Sequence, residues 1–399
     1  MKIVIVSTYF SKYMGYTENC LPRALANMGH EVHVVTSNFN VYGNDVDYAE
    51  NYQSFLGPAD QGSCEFQFDG YTVHRLPSRV IAGYLQIKSL AAKIREIRPN
   101  IVHSVEIASL QTYILAAIKP FHGFRLFTES HQHLSVVKPF LKEPGFYPLK
   151  RSIYWLTRTL PTFIASATVE KCYAVAPDCL YVAHKFYGVP KKKLVLQSLG
   201  SDTSLFFPVC TEEDLQKRAS LRHRLGYSDS DLVCVYTGRF TSAKNPLLLA
   251  QAINHLSGIN PGWHGLFVGE GAQRDEILRC RNTIILPFMT HRELADLYRA
   301  VDLAVWPCQE SMSMLDAASS GLPLIVSNKI GEIERVKGNG KVFKEGDVDD
   351  LCTVLESFSA KNDRLRYGLA GREKMVAHYS WAITANNMSD DYSLSLSRP

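Results

Sequence analysis

The chain has 399 residues, of which 46% are hydrophobic, 21% charged and 11% aromatic, and its formal net charge is +4. This length and composition are typical of a globular protein with two or three domains, and they exclude a disordered chain, a collagen and a disulfide-stapled miniprotein. The net charge is too small for the whole molecule to attract nucleic acid, so we expect no nucleic-acid partner.

The nine cysteines predict neither a disulfide framework nor a zinc ribbon. Their number is odd, no pair has the CxxC spacing, and Cys234 lies inside an apolar run typical of a buried strand. We therefore expect a reducing compartment. The N-terminal run MKIVIVSTYF predicts a first strand rather than a signal peptide, and no apolar stretch has the length of a membrane-spanning helix. We expect a cytoplasmic protein, either soluble or held at the inner face of a membrane.

Strands and helices alternate through the first half of the chain. The apolar runs KIVIVST and EVHVVTS predict buried parallel strands, and the segment between them predicts a helix over about 18–28 that ends at Gly29. Apolar residues recur at helical spacing over 86–98, and Pro99 ends this second helix. The runs IVHS, FRLFTES and CYAVAP predict three further strands.

The second half repeats the alternation independently. Four apolar runs predict parallel strands, at 232–238, 264–269, 283–287 and 302–307. Helices are predicted over about 246–257, 272–280, 291–300 and 314–320. Two such series indicate an α/β protein with two Rossmann-like domains, and parallel sheets bind ligands at the carboxyl ends of their strands. The sequence therefore predicts a site in a cleft between the two domains.

The loop TGRFTSAKNP follows the predicted strand that ends at Tyr236. Gly238 allows the chain to turn, and Arg239 and Lys244 place two cations just before a helix that begins at Pro246. Two cations beside a helix N-terminus are suited to binding a diphosphate. The spacing alone nevertheless favours an ordinary solvated basic loop.

The loop CQESMSMLDAASSGLP follows the last of these strands. Glu310 and Asp316 lie on either side of a turn that opens a helix, with Ser313 and Met314 between them. Carboxylates accept strong hydrogen bonds from sugar or ribose hydroxyls, so this loop is a second candidate for ligand binding. The alternative is an ordinary helix start whose methionines pack into the core.

These segments, taken in order, resemble a known enzyme family. GRFTSAKNP, FVGEGAQRDEI, ILPFMTHRELADLYRAVDLAVWP, DAASSGLPLIVSN and GNGKVFKEGDVDDL resemble the nucleotide-binding half of GT-B retaining glycosyltransferases of the family 4 type (group 1). KIVIVSTYF, LANMGHEVHVVTS and RPNIVHS are similar to that family's acceptor domain, LGSDTSLFFP to its hinge, and HYSW to its returning C-terminal helix. The resemblance covers essentially the whole chain.

The resemblance implies a GT-B fold, in which two Rossmann-like domains with parallel sheets face each other across an interdomain cleft. Residues 1–205 would form the acceptor-binding domain and residues 206–378 the nucleotide-sugar-binding domain. Residues 379–399 would form a C-terminal helix that returns to the first domain.

The resemblance also implies roles for individual residues. Arg239 and Lys244 would bind the donor diphosphate and stabilise the leaving group, which requires no metal. Asp316 would take the place of the family's second motif glutamate, which holds the ribose hydroxyls, and Glu310 is the candidate for the first. The other residues assigned to nucleotide or donor contacts are Gly15, Gly238, Gly269, Phe288, Met289, Ser313 and Met314.

The carboxylate motif departs from the family pattern, which has two glutamates with seven residues between them. Here Asp316 replaces the second glutamate, Cys308 stands at the position of the first, and Glu310 is only six positions before Asp316. The first loop also has a single glycine, Gly15, where many relatives have two. These departures leave the identity of the donor sugar open.

His131 and His133 follow a predicted strand in the segment TESHQHLSVVKPF. No third ligand with metal-site spacing accompanies them, so we predict no metal site. The family places a histidine after this strand, and one of the two is implied to orient sugar hydroxyls. Glu129 is a further candidate base or nucleophile, while His103 and Glu106 either line the cleft or belong to the core.

Residues 134–161 interleave basic and aromatic side chains. Such a segment suits contact with an anionic membrane surface or a lipid-linked acceptor, and the alternative is a long loop and helix that cap the acceptor domain. The residues concerned are Lys138, Lys142, Lys150, Arg151, Arg158, Phe140, Phe146, Tyr147, Tyr154 and Trp155.

The leading hypothesis is a retaining hexosyltransferase that moves a sugar from a nucleoside diphosphate donor to a hydroxyl of a saccharide or lipid-linked acceptor. A UDP-sugar is favoured as donor and GDP-mannose is second, in the synthesis of a cell-surface polysaccharide, lipopolysaccharide or glycolipid. One alternative is a GT-B epimerase or phosphorylase. Another, motivated by the altered Glu310–Asp316 motif, is a GT-B-shaped module that binds nucleotide or saccharide without transfer.

Overall fold

The structure, a computed structural model, describes residues 1–12, 14–45, 48–81, 84–134, 136–137 and 152–398. The chain divides into two compact units. The first unit comprises Met1–Leu199 and Thr384–Pro399, and the second comprises Gly200–Ile383.

The first unit is built on an eight-stranded sheet with the order β10-β9-β8-β7-β1-β2-β4-β3. Its neighbouring strands pair in parallel, except that β3 is antiparallel to β4. Strands β5 and β6 form a separate antiparallel hairpin. The strands are β1 (Lys2–Val6), β2 (Glu31–Ser37), β3 (Cys64–Phe68), β4 (Tyr71–Leu76), β5 (Ser78–Ile81), β6 (Tyr84–Ile87), β7 (Ile101–Ser104), β8 (Arg125–Ser130), β9 (Cys172–Ala174) and β10 (Leu194–Leu196).

Helices flank this sheet and connect its strands. They are α1 (Thr17–Asn27), α2 (Tyr48–Asn51), α3 (Gln53–Leu56), α4 (Leu90–Ile97), α5 (Leu110–His122), α6 (Leu160–Ser166) and α7 (Pro177–Lys185). The C-terminal helix, Trp381–Leu396, contributes its residues from Thr384 onward to this unit. Because β1, β7 and β8 are parallel neighbours, the loops after them meet at one edge of the sheet.

The second unit has a six-stranded sheet with the order β13-β12-β11-β14-β15-β16, and all of its pairs are parallel. The strands are β11 (Leu232–Thr237), β12 (Trp263–Val268), β13 (Thr283–Leu286), β14 (Leu303–Trp306), β15 (Leu324–Ser327) and β16 (Gly340–Phe343). The helices are α8 (Glu212–Arg224), α9 (Pro246–Ile259), α10 (Arg274–Leu278), α11 (His291–Ala300), α12 (Ser313–Ser319), α13 (Val348–Glu356) and α14 (Lys361–His378).

The segment that starts at Gly200 is attached to the second unit by its backbone. The Ser201 N–H donates to the Tyr379 carbonyl at 2.8 Å, and the Trp381 N–H donates to the Ser201 carbonyl at 3.1 Å. A Cβ on Gly200 would lie 2.5 Å from the Trp381 nitrogen, so only glycine fits this approach. The division between the units therefore lies at 199/200 and 383/384, whereas the sequence placed it at 205/206 and 378/379.

The α/β class and the parallel sheets agree with the sequence prediction. Strands at 31–37 and 101–104 have the predicted bounds. The helix predicted over 86–98 begins only at Leu90, and its first residues belong to β6. The strands that were not predicted, most of them four residues or shorter, are β3, β4, β5, β6, β10, β15 and β16. All nine cysteines lie in described ranges and have free thiols. Among the helices of the described ranges, none combines the length and hydrophobicity that crossing a bilayer requires.

Candidate active site

The loops after β11 and β12 contact each other through their backbones. The Phe240 N–H donates to the Glu270 carbonyl at 2.8 Å. A Cβ on Gly269 would lie 2.0 Å from the carbonyl oxygen of Gly238, and one on Gly271 would lie 2.8 Å from that of Phe240. Both glycines also have φ near +145°, where other residues are strained. Gly269 and Gly271 thus allow the two loops to form one continuous surface.

Two cations lie on this surface. Arg239 is exposed and Lys244 is half-buried, and the Lys244 Nζ donates to the main-chain oxygen of Glu310 at 2.5 Å. Burial, followed by the charge of Arg239, lowers the pKa of Lys244, so the two cations interact. The 14-residue helix α9 begins two residues later at Pro246. This grouping of two cations and a helix N-terminus can bind a diphosphate.

The turn into α9 is made without a side-chain cap. Asn245 has φ +48°, in the left-handed region, and its side chain does not cap the helix. Its Oδ1 accepts a hydrogen bond from the Gln273 amide at 3.2 Å instead. The sharp turn before Pro246 thus depends on a contact with the loop after β12.

The Glu310 side chain is fixed by the segment that follows β15. Its Oε1 accepts a hydrogen bond from the Glu332 N–H at 2.8 Å, and its Oε2 lies 3.7 Å from Nη1 of Arg335. The Glu310 main-chain oxygen is bound to Lys244. Glu310 therefore connects the basic loop, through Lys244, to the segment after β15.

Asp316 is buried, with 6% of its surface exposed. Its Oδ1 accepts a hydrogen bond from the Ser201 hydroxyl at 2.7 Å, and its Oδ2 lies 3.8 Å from Nε2 of His291. Burial raises the pKa of Asp316 to about 7, against the opposing effect of the Ser201 hydrogen bond. This carboxyl group can therefore accept or donate a hydrogen bond near neutral pH.

The other candidate residues of this unit differ in how much of each side chain is accessible to a ligand. Met314 is 1% exposed and packs in the hydrophobic core, so only its backbone can face a ligand. The Ser313 hydroxyl lies 2.8 Å from that of Ser311. Phe288 and Met289 are half-buried in the loop between β13 and α11, and Met289 also packs against the core.

A cluster of acidic and histidine side chains lies at the carboxyl edge of the first unit's sheet. Glu129, the penultimate residue of β8, uses both carboxylate oxygens: Oε1 lies 3.0 Å from Nε2 of His103 and Oε2 lies 2.5 Å from Nε2 of His131. The Nδ1 of His103 lies 2.7 Å from the hydroxyl of Tyr392 in the C-terminal helix. The structure thus brings four polar residues from three distant segments into one hydrogen-bonded chain.

Two further carboxyl groups face His131. Glu106 accepts hydrogen bonds from the backbone N–H groups of Ala108, at 3.0 Å, and of His131, at 3.2 Å. Glu106 also has φ +111°, a strained conformation of the kind that concentrates at functional sites. Glu18, in the first turn of α1, is 7% exposed, and burial raises its pKa to about 7.

The contacts between Glu129 and the two histidines determine the charges in this cluster. Burial alone would raise the pKa of Glu129, but hydrogen bonds from His103 and His131 hold it at about 2. Burial alone would lower the pKa of His131, but the Glu129 carboxylate outweighs this and raises it. Glu129 and His131 therefore form a buried ion pair. Burial raises the pKa of Glu106.

His133 points to a different partner from that of His131. Its Nδ1 lies 3.0 Å from Oδ2 of Asp178, which also accepts the Leu134 N–H at 3.0 Å, and 3.7 Å from Sγ of Cys179. These three side chains are the ones within the described ranges that could hold a metal ion. Because the carboxylate is already bonded to the imidazole and to a backbone N–H, we interpret the group as a cap that attaches this loop to α7. Gly15 is half-buried in the loop between β1 and α1.

Several of these residues were missed by sequence reasoning. Glu18 follows Gly15 by only three positions, but a glutamate in a first helical turn is also the ordinary way to complement a helix dipole. Ser201, Asp178 and Tyr392 lie far along the chain from the groups they contact, and no spacing rule connects them.

The segment 134–161 is described only in part. The predicted contact residues Lys138, Phe140, Lys142, Phe146, Tyr147, Lys150 and Arg151 lie outside the described residues. In the part that follows, Trp155 and Leu156 are 50% and 56% exposed. The Arg158 guanidinium lies over the rings of Tyr84, at 4.6 Å, and Tyr154, at 5.3 Å. This stretch therefore presents apolar side chains to solvent beside a basic one.

Two units with parallel sheets, glycine-dependent loops and a pair of cations before a helix define the class of GT-B glycosyltransferases. The whole chain has this fold in common with solved structures. The Anabaena protein HepE, crystallised in complex with UDP, is 15% identical, and the match covers 99% of this chain and 100% of HepE with a TM-score of 0.68.

The family follows from the sequence. Residues 231–360 match the family model "Glycosyl transferases group 1", and residues 21–205 match "Glycosyltransferase Family 4". The chain belongs to the family 4 glycosyltransferases.

Curated relatives agree with this assignment at low identity. A D-inositol 3-phosphate glycosyltransferase from Rhodococcus erythropolis is 24% identical over 245 residues, which is 57% of this chain and 54% of the relative. A GDP-mannose-dependent monoacylated alpha-(1-6)-phosphatidylinositol monomannoside mannosyltransferase from Corynebacterium glutamicum is 24% identical over 208 residues, 48% of this chain and 54% of the relative. The chain spans about half the length of these relatives.

Proposed function

We propose that this chain is a retaining hexosyltransferase that takes a sugar from a nucleoside diphosphate donor and transfers it to a hydroxyl group. The observation that carries the proposal is the grouping of Arg239 and Lys244 before helix α9, on a surface that Gly269 and Gly271 make continuous. In this proposal the second unit binds the donor and the first unit binds the acceptor.

The two cations supply what the leaving group needs. When the bond between the anomeric carbon and the phosphate oxygen breaks, negative charge develops on the departing diphosphate. Lys244, Arg239 and the helix N-terminus stabilise this charge without a metal ion at this step. The acceptor oxygen forms the new bond to the anomeric carbon on the same face, and its proton passes to the departing phosphate.

Asp316 and Glu310 hold the donor in different ways. The Asp316 carboxyl binds the ribose hydroxyls, and Ser201 fixes its orientation. Glu310 positions Lys244 through its main-chain oxygen, and its carboxylate, oriented by the Glu332 N–H and Arg335, binds the sugar. Phe288, Met289 and the backbone of Ser313 and Met314 contact the nucleoside.

His131 is the acceptor-side residue of the proposal. It is partly exposed, with 29% of its side chain accessible, and it is charged through its pair with Glu129. An imidazolium donates hydrogen bonds, so His131 orients sugar hydroxyls rather than removing a proton from them. Gly15 lies in the neighbouring loop before α1, where its small size allows a substrate to approach the backbone.

The donor is a UDP-sugar in preference to GDP-mannose. The structural similarity to HepE, which was crystallised with UDP, supports the first choice, and the similarity to a GDP-mannose-dependent mannosyltransferase supports the second. The same mannosyltransferase acts, by its name, on a phosphatidylinositol glycolipid. This supports a saccharide or lipid-linked acceptor, as in the synthesis of a glycolipid, lipopolysaccharide or cell-surface polysaccharide.

Segment 134–161 holds the protein at the inner face of the membrane, where a lipid-linked acceptor is found. The exposed side chains of Trp155 and Leu156 beside Arg158 support this contact, since apolar and basic groups together bind anionic lipid surfaces. We expect the double substitution Trp155→Ala and Leu156→Ala to reduce sedimentation with vesicles that contain an anionic phospholipid. Phe121→Ala, which removes an 82% exposed aromatic residue from α5, is the control and should leave sedimentation unchanged.

A second candidate function is a binding module that keeps nucleotide or saccharide affinity without transfer. The observation in its favour is that the Glu310 and Asp316 carboxylates are already bonded, to the Glu332 N–H and the Ser201 hydroxyl. A GT-B epimerase or phosphorylase has no comparable observation in its favour.

A thermal-shift panel of UDP, GDP, ADP and dTDP, with EDTA throughout, tests the donor site. We expect stabilisation by UDP, or failing that by GDP, in the native chain and in Lys217→Ala, which removes an exposed cation of helix α8. We expect Lys244→Ala to lose the stabilisation. Equal stabilisation of Lys244→Ala would contradict the assignment of the basic loop, and no response of the native chain to any nucleotide would contradict the donor site itself.

A further inference from the structure

A continuous hydrogen-bonded chain leads from the C-terminal helix to the edge of the first unit's sheet. It runs from Tyr392 to His103, Glu129 and His131 through contacts of 2.7, 3.0 and 2.5 Å. The first three residues are 0%, 0% and 1% exposed, whereas the His131 side chain is 29% exposed. The chain is therefore buried along its length and reaches solvent at His131.

The direction of each hydrogen bond follows from the chemistry of the groups. Glu129 is ionised, so it can only accept, and His103 must donate to it through Nε2–H. A His103 ring with its one proton on Nε2 has an acceptor at Nδ1, to which the Tyr392 hydroxyl can donate. Glu129 accepts its second hydrogen bond from Nε2–H of His131, which makes Nδ1 the ring nitrogen that a ligand can contact.

We propose that Tyr392 is a positioning residue of the active site, which acts through His103 and Glu129 to hold His131 as an oriented cation with its Nδ1–H toward the ligand. The C-terminal helix thus completes the acceptor-side site in addition to packing on the first unit. This inference rests on the proposed function for the role of His131, and it names the chemical group that His131 recognises: an oxygen acceptor, either a hydroxyl or a phosphate oxygen.

Among the carboxyl groups near His131, Glu129 is the one that stabilises its cation. The Oε2 of Glu129 lies 2.5 Å from Nε2 of His131, whereas burial raises the pKa values of Glu106, in the loop after β7, and of Glu18, in helix α1. Glu129 needs its two donors because an ionised carboxylate without them is very unfavourable in a buried site.

The C-terminal helix is anchored beside Tyr392. The Lys171 Nζ lies 2.6 Å from Oδ1 of Asp391, and the Tyr173 hydroxyl donates to Oδ2 of Asp391 at 2.9 Å. These contacts fix the register of the helix, so that the next residue, Tyr392, meets His103. The ring of His103 also stacks on Tyr173, with centroids 6.0 Å apart, which restricts its rotation.

Nitrogen-15 NMR of the histidine side chains in the full chain tests this proposal. In the native chain at pH 7.5 we expect both nitrogens of His131 to be protonated and His103 to be the neutral Nε2–H tautomer. His131→Gln identifies the His131 signals. In Glu129→Gln we expect the pKa of His131 to fall by about one to three units, since a neighbouring carboxylate is lost.

Tyr392→Phe tests the tyrosine hydroxyl separately from the Glu129 carboxylate. Because Glu129 keeps its charge in this variant, we expect His131 to stay protonated and His103 to keep its proton on Nε2. The Nδ1 resonance of His103 should shift, because this nitrogen loses the hydrogen bond from Tyr392. We expect kcat to fall about threefold to tenfold, as for a lost hydrogen bond, with KM for the donor unchanged. Tyr48→Phe is the matched control: it removes a buried tyrosine hydroxyl of the first unit that donates to the Gly57 carbonyl at 2.9 Å and lies outside the chain of four, and it should leave His103 and His131 unchanged.

The outcomes distinguish the proposal from the proposed function. A neutral His131 in the native chain at pH 7.5, or no change at His103 in Tyr392→Phe, would overturn the proposal even if the protein transfers sugar. This readout on the native chain holds even if Glu129→Gln fails to fold. The expected NMR pattern in a protein that transfers no sugar would support the hydrogen-bonded chain and contradict the proposed function.

Discussion

The candidate sites of the two units are built in opposite ways. In the second unit the basic groups lie within one short segment: Arg239, Lys244 and the start of α9 at Pro246 follow each other along the chain. In the first unit His131 depends on Glu129, on His103 and on Tyr392, which is more than 250 residues away. The first kind of site is visible in a sequence, and the second becomes visible only when the chain is folded.

The difference extends to charge. In the second unit, Arg239 and Lys244 are close enough for the charge of Arg239 to lower the pKa of Lys244, and two neighbouring cations are suited to an anionic diphosphate. In the first unit the His131 cation is paired internally with the Glu129 carboxylate, which suits oriented hydrogen bonding to hydroxyl groups. In the proposed function, the second unit therefore stabilises the leaving group and the first unit orients the acceptor.

The largest effect should come from removing the charge on the second unit. We expect Lys244→Ala to lower kcat about 100-fold to 1,000-fold, the range found when a group that stabilises transition-state charge is removed. Arg239→Ala should have an effect in the same direction. Steady-state release of nucleoside diphosphate measures it, with Lys217→Ala as a control that should retain native kcat. Intact transfer by both Arg239→Ala and Lys244→Ala would contradict the division of roles.

The next largest effect should come from disrupting the contact between the loops after β11 and β12. In Gly269→Ala the new Cβ would lie 2.0 Å from the Gly238 carbonyl oxygen, at a φ of +144°. We expect this to cost about 2–4 kcal/mol of unfolding free energy and to weaken nucleotide binding. Gly258→Ala is the matched control in helix α9, where the nearest atom is 3.8 Å away, and it should be neutral or stabilising. Urea unfolding of both variants measures the difference, and equal stabilities would show that the close approach is not required.

The smallest effect concerns pH. The pKa of Asp316 is raised to about 7 in the folded chain, above its value of about 3.9 when unfolded, so its contribution to stability is complete below about pH 4 and is lost as the pH rises through 7. We expect Asp316→Asn to remove this loss, which makes the variant more stable relative to the native chain at pH 7 than at pH 5, by roughly 2 kcal/mol.

Glu18 provides the same test in the first unit. Its pKa is also raised to about 7 by burial, so Glu18→Gln should flatten the pH dependence with the same sign. Unfolding measured at pH 5, 6 and 7 checks both variants. A pH dependence that persists unchanged in Asp316→Asn and in Glu18→Gln would contradict the burial of these carboxyl groups in protonated form.

The sequence predicted the fold class because apolar runs and their spacing report burial directly. Strands such as β1 and β11 are nearly continuous apolar segments, whereas β3 is largely exposed and gives no such signal. For the site, Arg239 and Lys244 were found because they are local. The bond from Ser201 to Asp316 and that from the Glu332 N–H to Glu310 were not, since each joins residues that only the tertiary fold brings together.

The burial of Met314 illustrates a different limit. The sequence placed this residue next to Ser313 in the candidate loop, and its position alone does not say which way the side chain turns. In α12 the Met314 side chain enters the core, which is the alternative that an ordinary helix start predicted.

Acceptor-dependent turnover tests the central claim most directly. UDP-sugars and GDP-mannose are incubated with the native chain, EDTA and a panel of alkyl glycoside acceptors, and both nucleoside diphosphate release and the anomeric configuration of the product are measured. The account predicts release that requires an acceptor, a product with the configuration of the donor, and loss of both in Lys244→Ala. Binding of nucleotide without release from any donor would contradict it and favour the binding module, and an inverted product would contradict the retaining mechanism.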